Sequence, residues 1–313
     1  MTSTDLLTRS PTLQTASAST ISSGALREVE GIYQAPELHW VGDGFRVHGY
    51  FSTIPNAMRR LDPFLLLDYH PTFDYSPTER PRGVGVHPHR GIETVTLAWQ
   101  GSVAHHDSAG NGGVIGPGDA QWMTAASGIL HKEYHEQNYA RRGGPFHMAQ
   151  IWVNLPKAHK MAAPRYQPIL AERMGKVTLP GGSGVVRILS GEYAGVMGPA
   201  KTFSKVDIFD VSVNANGAAD FVFPSRNNAG LLVMRGDVII NGSKATLHDF
   251  VVFKNAGERI HIEATTDAHL LILGGEPIDE PIVPYGPFVM NTKQEILQAF
   301  EDFEEGKFGH LAD

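Results

Sequence analysis

The sequence predicts an all-β protein: two small β-barrels in tandem, followed by a short C-terminal helix. Three observations carry this expectation. Short segments with two-residue alternation or β-branched runs (Val86 to Trp99, Val185 to Leu189, Ser204 to Val213, Leu231 to Ile240 and His261 to Leu273) are punctuated by Gly, Pro, Asn and Asp. A chain of 313 residues, 42% of them hydrophobic, is long enough for two cores rather than one. A faint internal repeat links the halves: Gly101 precedes Gly116-Pro-Gly-Asp119 and, twelve residues after Asp119, His131-Lys-Glu133, while Gly236 precedes Leu247-His-Asp249 and, twelve residues after Asp249, His261-Ile-Glu263.

The elements follow in order. Residues 1–28 are rich in Ser and Thr without periodicity, a composition that reads as a disordered tail. Residues 29–160 form the first barrel and 161–313 the second with its closing helix. The stretch Lys157 to Pro168, with Pro156, Pro164 and Pro168, reads as a connection between domains. At the C-terminus Asn291 can cap a helix in which Ile296, Leu297, Phe300 and Phe303 recur at helical spacing, suited to packing on a barrel wall.

Composition excludes several functions. The net charge of −7 is spread along the chain, so neither a nucleic-acid footprint nor a membrane-surface patch is expected. No apolar window is long enough for a membrane span and the first thirty residues lack a secretory apolar core, which makes the cytoplasm the expected compartment. A monomer is the expected form. With no cysteine, disulfides, thiolate catalysis and Cys-based metal sites are ruled out, and any metal must be held by His, Asp or Glu.

The fifteen histidines supply one such constellation. His87 and His89 stand two apart at the entrance to a strand, and His131 and Glu133 repeat the spacing on a later segment. Side chains two apart on a strand share a face, so these four groups can converge inside a barrel. Imidazoles with one carboxylate suit a divalent first-row metal: iron(II) first, with nickel, manganese, copper or zinc as alternatives. Glu93, four residues after His89, competes with Glu133 for the fourth position. His105 and His106, before Asp107 in a Gly-rich stretch, read as solvated turn residues; His70, His135 and His147 could orient a ligand imidazole, but a satisfied surface or core histidine is the commoner outcome for each. Trp122, Met123 and Phe64 are candidates for the pocket wall or, equally, for core. In the second half, His261 and Glu263 would be half of a site, but counting back from Gly236 reaches Val222 and Pro224, which cannot ligate, so the second barrel is expected to hold no metal.

At these residues the sequence resembles the pirin family of the cupin superfamily. The resemblance runs through Asp62-Pro-Phe-Leu-Leu-Leu-Asp68, His87-Pro-His-Arg-Gly-Ile-Glu-Thr-Val95, Asp107-Ser-Ala-Gly-Asn111, Gly116-Pro-Gly-Asp-Ala-Gln-Trp-Met-Thr-Ala125, Gly128-Ile-Leu-His-Lys-Glu133 and Ile151-Trp-Val-Asn-Leu-Pro156, and on to Gly275-Glu-Pro-Ile278 and the closing helix. It implies a bicupin with one iron in the N-terminal barrel and the family's ligands on His87, His89, His131 and Glu133, which favours Glu133 over Glu93. It also implies a function: a quercetinase-type dioxygenase that cleaves a flavonol such as quercetin with dioxygen, with Glu133 or a neighbouring base accepting the substrate's proton. The alternative it implies is a non-enzymatic, iron-dependent redox sensor that binds a transcription factor or metabolic enzyme. A zinc-dependent isomerase or hydrolase on the same barrel is a third reading, because fold does not fix function.

Overall fold

The computed structural model describes residues 24–312 and the backbone of Gln14–Thr15. Most of the expected N-terminal tail lies outside the described residues. Residues 24–28 depart from that expectation: Leu26 bridges Arg259, and the Arg27 side chain is fully buried. Its guanidinium donates to the carbonyls of Gly257 at 3.3 Å, Asn227 at 2.7 Å and Pro224 at 2.7 Å. A buried cation is tolerable when its donors are matched in this way, and partners some two hundred residues away leave no trace in local composition.

Each half of the chain forms a two-sheet β-barrel. In the first, a seven-stranded sheet runs in the order Arg165–Ile169, Ala120–Thr124, Ile92–Gln100, Gly144–Asn154, Phe64–Tyr75, Phe45–Gly49, Leu38–Val41. A four-stranded sheet faces it, ordered Gly83–His89, Ile129–His135, Val103–Asp107, Gly112–Ile115. The second barrel repeats the plan, with Ala218–Val222, Arg259–Ala264, Val238–Ile240 and Ser243–Ala245 as its smaller sheet. The repeat seen in the sequence is thus a repeat of architecture.

The halves exchange edge strands. Val29–Tyr33 pairs with Phe250–Phe253 in the large sheet of the second barrel, and Arg165–Ile169 pairs with Ala120–Thr124 in the large sheet of the first. The expected boundary at residue 160 therefore cuts across both barrels, and the Pro-rich connection is only partly one: its end is a strand, with Pro168 accommodated because an edge strand can spare an amide.

Alternation decides where the cores sit. On Ile92–Gln100 and Gly144–Asn154, Val95, Leu97, Ala149, Ile151 and Val153 point out of the first barrel and meet Ile208, Leu232, Phe250, Val252 and Leu271 of the second in one shared core. Phe64 and Trp122 belong to this core and Met123 to a smaller cluster, so all three are packing residues and do not line the pocket described below. The second barrel's interior is filled with apolar side chains, among them Phe209, Phe221, Ile260 and Ile262.

The C-terminal helix, Lys293–Glu304, is capped by Thr292 rather than Asn291. The Thr292 hydroxyl accepts from the Glu295 amide at 3.1 Å and the Glu295 carboxylate accepts from the Thr292 amide at 2.8 Å, a reciprocal capping box. Ile296 and Ala299 bury against the Val283–Tyr285 and Phe288–Met290 hairpin together with Phe308, whereas Leu297 is exposed. Arg90 ties this unit to the first barrel through Asp302 at 2.8 Å. No helix among the described residues is long and apolar enough to cross a membrane.

Candidate metal centre

The register of two antiparallel strands brings three histidines together. His131 on Ile129–His135 stands directly opposite His87 on Gly83–His89, and His89 is opposite Ile129. Cross-strand partners share a face, as do residues two apart, so all three rings turn into the barrel. Their ring centroids are 4.3 Å (His87 to His131), 4.9 Å (His89 to His131) and 5.0 Å (His87 to His89) apart, and one nitrogen from each lies within 4.8 Å of the others. Close backbone approach permits this arrangement. A Cβ on Gly83 would meet the Glu133 carbonyl oxygen at 2.3 Å, and one on Gly91 (φ +80°) would meet the Val289 oxygen at 2.0 Å.

The Nδ1 atoms are committed elsewhere. His87 Nδ1 lies 2.8 Å from the Gly85 carbonyl and His89 Nδ1 lies 3.2 Å from the Pro287 carbonyl, contacts that place a proton on Nδ1 and leave Nε2 as the lone-pair donor. His131 Nδ1 is 3.5 Å from His105 Nδ1, and His105 Nε2 is 3.2 Å from Asp107 Oδ2. His131 Nε2 is buried with no hydrogen-bond partner among the described residues. A buried polar atom left unsatisfied is uncommon and asks for a ligand. Burial also depresses the imidazoles: His89 is held down at about 3, and His131 well below its usual value, first by desolvation and then by the neighbouring rings. They are neutral, the state that binds metals. This donor set fits a first-row metal.

Glu133 enters the same pocket but stands apart from the three-histidine cluster. A bulge between His131 and Glu133 resets the register, and the carboxylate is gripped by three neutral donors: Thr96 Oγ1 at 3.1 Å, Gln121 Nε2, and Gln150 Nε2 at 2.5 Å. Tyr166, from the exchanged strand, donates to Gln121 Oε1 at 3.0 Å and so braces this grip. Glu93 faces the other way. Its neighbours are Thr124 Oγ1 at 2.6 Å and Arg165 at 3.8 Å, on the side of the sheet that meets the second barrel, and burial pushes its carboxyl up to about 7.

The pocket in front of these groups has a volume of about 250 Å³, slightly below the common range for small-molecule sites. Phe45, Val47, Met148, Trp152 and Pro287 supply apolar walls, and Asp68, pushed up to about 6 by burial, lies among them. Pro287 belongs to the C-terminal hairpin loop, so the end of the chain completes a site built near its beginning.

Several sequence expectations need correction. His105 is fully buried on the Val103–Asp107 strand, stacked on Tyr166 at 4.6 Å, and is not a solvated turn residue; only its neighbour His106 is exposed. His70, His135 and His147 take the commoner outcome expected of them, as satisfied core histidines: His70 and His135 sit in an aromatic cluster with Tyr75 and Phe146, and His147 bonds Tyr69 on the outer face of the sheet. None of the three touches the cluster. Sequence reasoning missed Thr96, Gln121 and Gln150; the available signal is alternation, since each lies on the barrel-facing side of its strand, among residues whose neighbours on the other face are mostly apolar. In the second barrel, Asp220 rather than Val222 stands opposite His261 as His87 stands opposite His131. There the interior is taken by Ile260 and Ile262, so His261 and Glu263 turn outwards, and His261 pairs with Asp220 at 2.9 Å.

Two packed barrels of this plan, with a histidine centre in the first alone among the described residues, define a bicupin. The chain belongs to the pirin family: residues 44–153 match the pirin model and residues 208–309 the pirin C-terminal cupin domain. It is 46% identical over 284 residues to a Pseudomonas aeruginosa protein provisionally named quercetin 2,3-dioxygenase, covering 90% of this chain and 99% of that one. Human pirin is 36% identical over 259 residues, covering 80% and 84%. The crystal structure of quercetin 2,3-dioxygenase from Acinetobacter baumannii superposes with a TM-score of 0.87 at 41% identity, covering 92% of this chain and all of that one.

Proposed function

We propose that this protein is a metal-dependent dioxygenase that opens the ring of a flavonol such as quercetin, with iron(II) held by His87, His89, His131 and Glu133. The observation that carries the proposal is the convergence of three imidazoles, one with a buried unpartnered Nε2, beside a pocket with apolar walls. The names of two similar proteins support the choice of substrate. The metal, when bound, supplies Lewis acidity and a template that brings flavonol and dioxygen into contact.

The protein's own groups do the rest. Phe45, Met148 and Trp152 give a flat polyphenol an apolar slot and keep water from its reacting ring. Gln121, Gln150 and Thr96 fix the Glu133 carboxylate, whose Oε2 takes the proton of the flavonol hydroxyl; Asp68, in the same pocket, is the neighbouring base. Loss of that proton leaves an electron-rich enolate ready for dioxygen. Both oxygen atoms enter the product and one ring carbon departs as carbon monoxide.

The test uses elemental analysis of the purified protein, then apo-protein reloaded separately with iron(II), nickel(II), manganese(II), copper(II) or zinc(II). Loss of quercetin absorbance is followed with and without a chelator. Turnover that requires iron and disappears in the His87→Ala/His89→Ala variant is expected. No turnover with any metal would leave the non-enzymatic, redox-sensing reading standing, and turnover that survives the double substitution would remove the proposed centre.

A further inference from the structure

A second cavity, of about 500 Å³, opens where the two large sheets diverge at one rim. Its size is typical of small-molecule sites. Trp99 and His147 contribute from the first barrel and His248 and His269 from the second. Trp99 lies against His147 at 4.7 Å with a ring angle of 36°, and meets His269 edge-on at 5.6 Å. The rings are pinned from behind: His147 Nε2 is 2.9 Å from the Tyr69 hydroxyl, and His269 Nε2 is 2.5 Å from Asp210 Oδ1. Asp210 itself is buried beneath His269 and already paired with Arg187 at 2.8 Å.

No carboxylate lines the cavity, and its one fixed charge is the guanidinium of Arg235, which has no ion-pair partner among the described residues. Arg235 is exposed, so its charge can attract an anion from solvent, while the rings of Trp99, His147 and His269 offer a flat group a surface to lie on. Trp99, His147 and Tyr69 occupy the face of the sheet opposite to Thr96 and Gln150, so this cavity is separate from the metal pocket.

We propose that the interdomain cavity binds a small aromatic carboxylate, its ring against Trp99 and His147 and its carboxylate on Arg235. One ligand would then contact both barrels. The probe is 1-naphthoate, followed by calorimetry and by quenching of tryptophan fluorescence, with 1-naphthalenemethanol as the neutral control. Saturable binding is expected, about tenfold weaker for the neutral compound and for Arg235→Gln, in keeping with loss of one charge-assisted contact. Trp99→Ala should lose both the quenching and most of the affinity, and His87→Ala/His89→Ala should bind as the parent does. Absence of saturation up to millimolar probe, equal affinity for the neutral compound, or loss of binding in the double histidine variant would each overturn the proposal.

Discussion

Replacing His105 by phenylalanine tests whether the ring behind His131 governs the metal centre. Phenylalanine preserves the planar shape that stacks on Tyr166 but removes both nitrogens. His131 Nδ1 then loses the one hydrogen-bond contact it makes among the described residues, in a fully buried setting, while Asp107 keeps its bonds from Ala109 and Asn111, so the damage is confined to the ligand. A buried donor left unpaired costs about 1–3 kcal/mol. The contact is long at 3.5 Å, which puts the expected loss near the lower end, about tenfold in metal affinity. Competition against a chromogenic chelator measures it, with thermal melting to confirm an intact fold. Asp107→Asn should weaken binding similarly, and the double variant no further than His105→Phe alone, because both act through one imidazole. An unchanged affinity in a folded His105→Phe protein would refute the reasoning.

Two further substitutions address the fold. Lys160 is buried and donates to Gly91 O at 2.9 Å, Asn154 Oδ1 at 2.7 Å and Val289 O at 2.8 Å. Each charge-assisted bond contributes about 1.5–3 kcal/mol, and the burial that lowers its ammonium to about 8 offsets part of this, so Lys160→Met should cost about 3 kcal/mol in denaturant unfolding at pH 7; a loss below about 0.5 kcal/mol would contradict this account of its role. Glu93, with its carboxyl at about 7 in the fold and near its ordinary value when unfolded, keeps its proton in the native state while the unfolded chain ionises. Stability should therefore fall by up to about 3 kcal/mol as pH rises from 4.5 to 7, and Glu93→Gln should flatten the trend. Parallel pH profiles for parent and variant would show that the carboxyl is not the cause.

The architecture was legible because alternation and turn residues are local signals. The metal cluster was legible for a related reason: His-x-His and His-x-Glu each encode a shared face without knowledge of the partner strand. What sequence could not supply was phase and pairing. Val103, His105 and Asp107 alternate inwards, yet the glycines that follow made the segment resemble a loop. His261 and Glu263 repeat the spacing of His131 and Glu133, but a shift of one residue in which side faces inwards hands the interior to Ile260 and Ile262. Glu93 could be separated from Glu133 only once the sheet's two faces were assigned, and Arg27, Lys160 and Tyr166 depend on partners distant in the chain.

The reciprocal strand exchange has a consequence for biosynthesis. The first barrel lacks an edge until Arg165–Ile169 has left the ribosome, and the hairpin loop that supplies Pro287 arrives later still. Val29–Tyr33, made early, must wait for Phe250–Phe253 before it can pair. Neither half can be finished in isolation, so severing the chain near residue 160 would give two fragments with open, adhesive edges rather than two working modules.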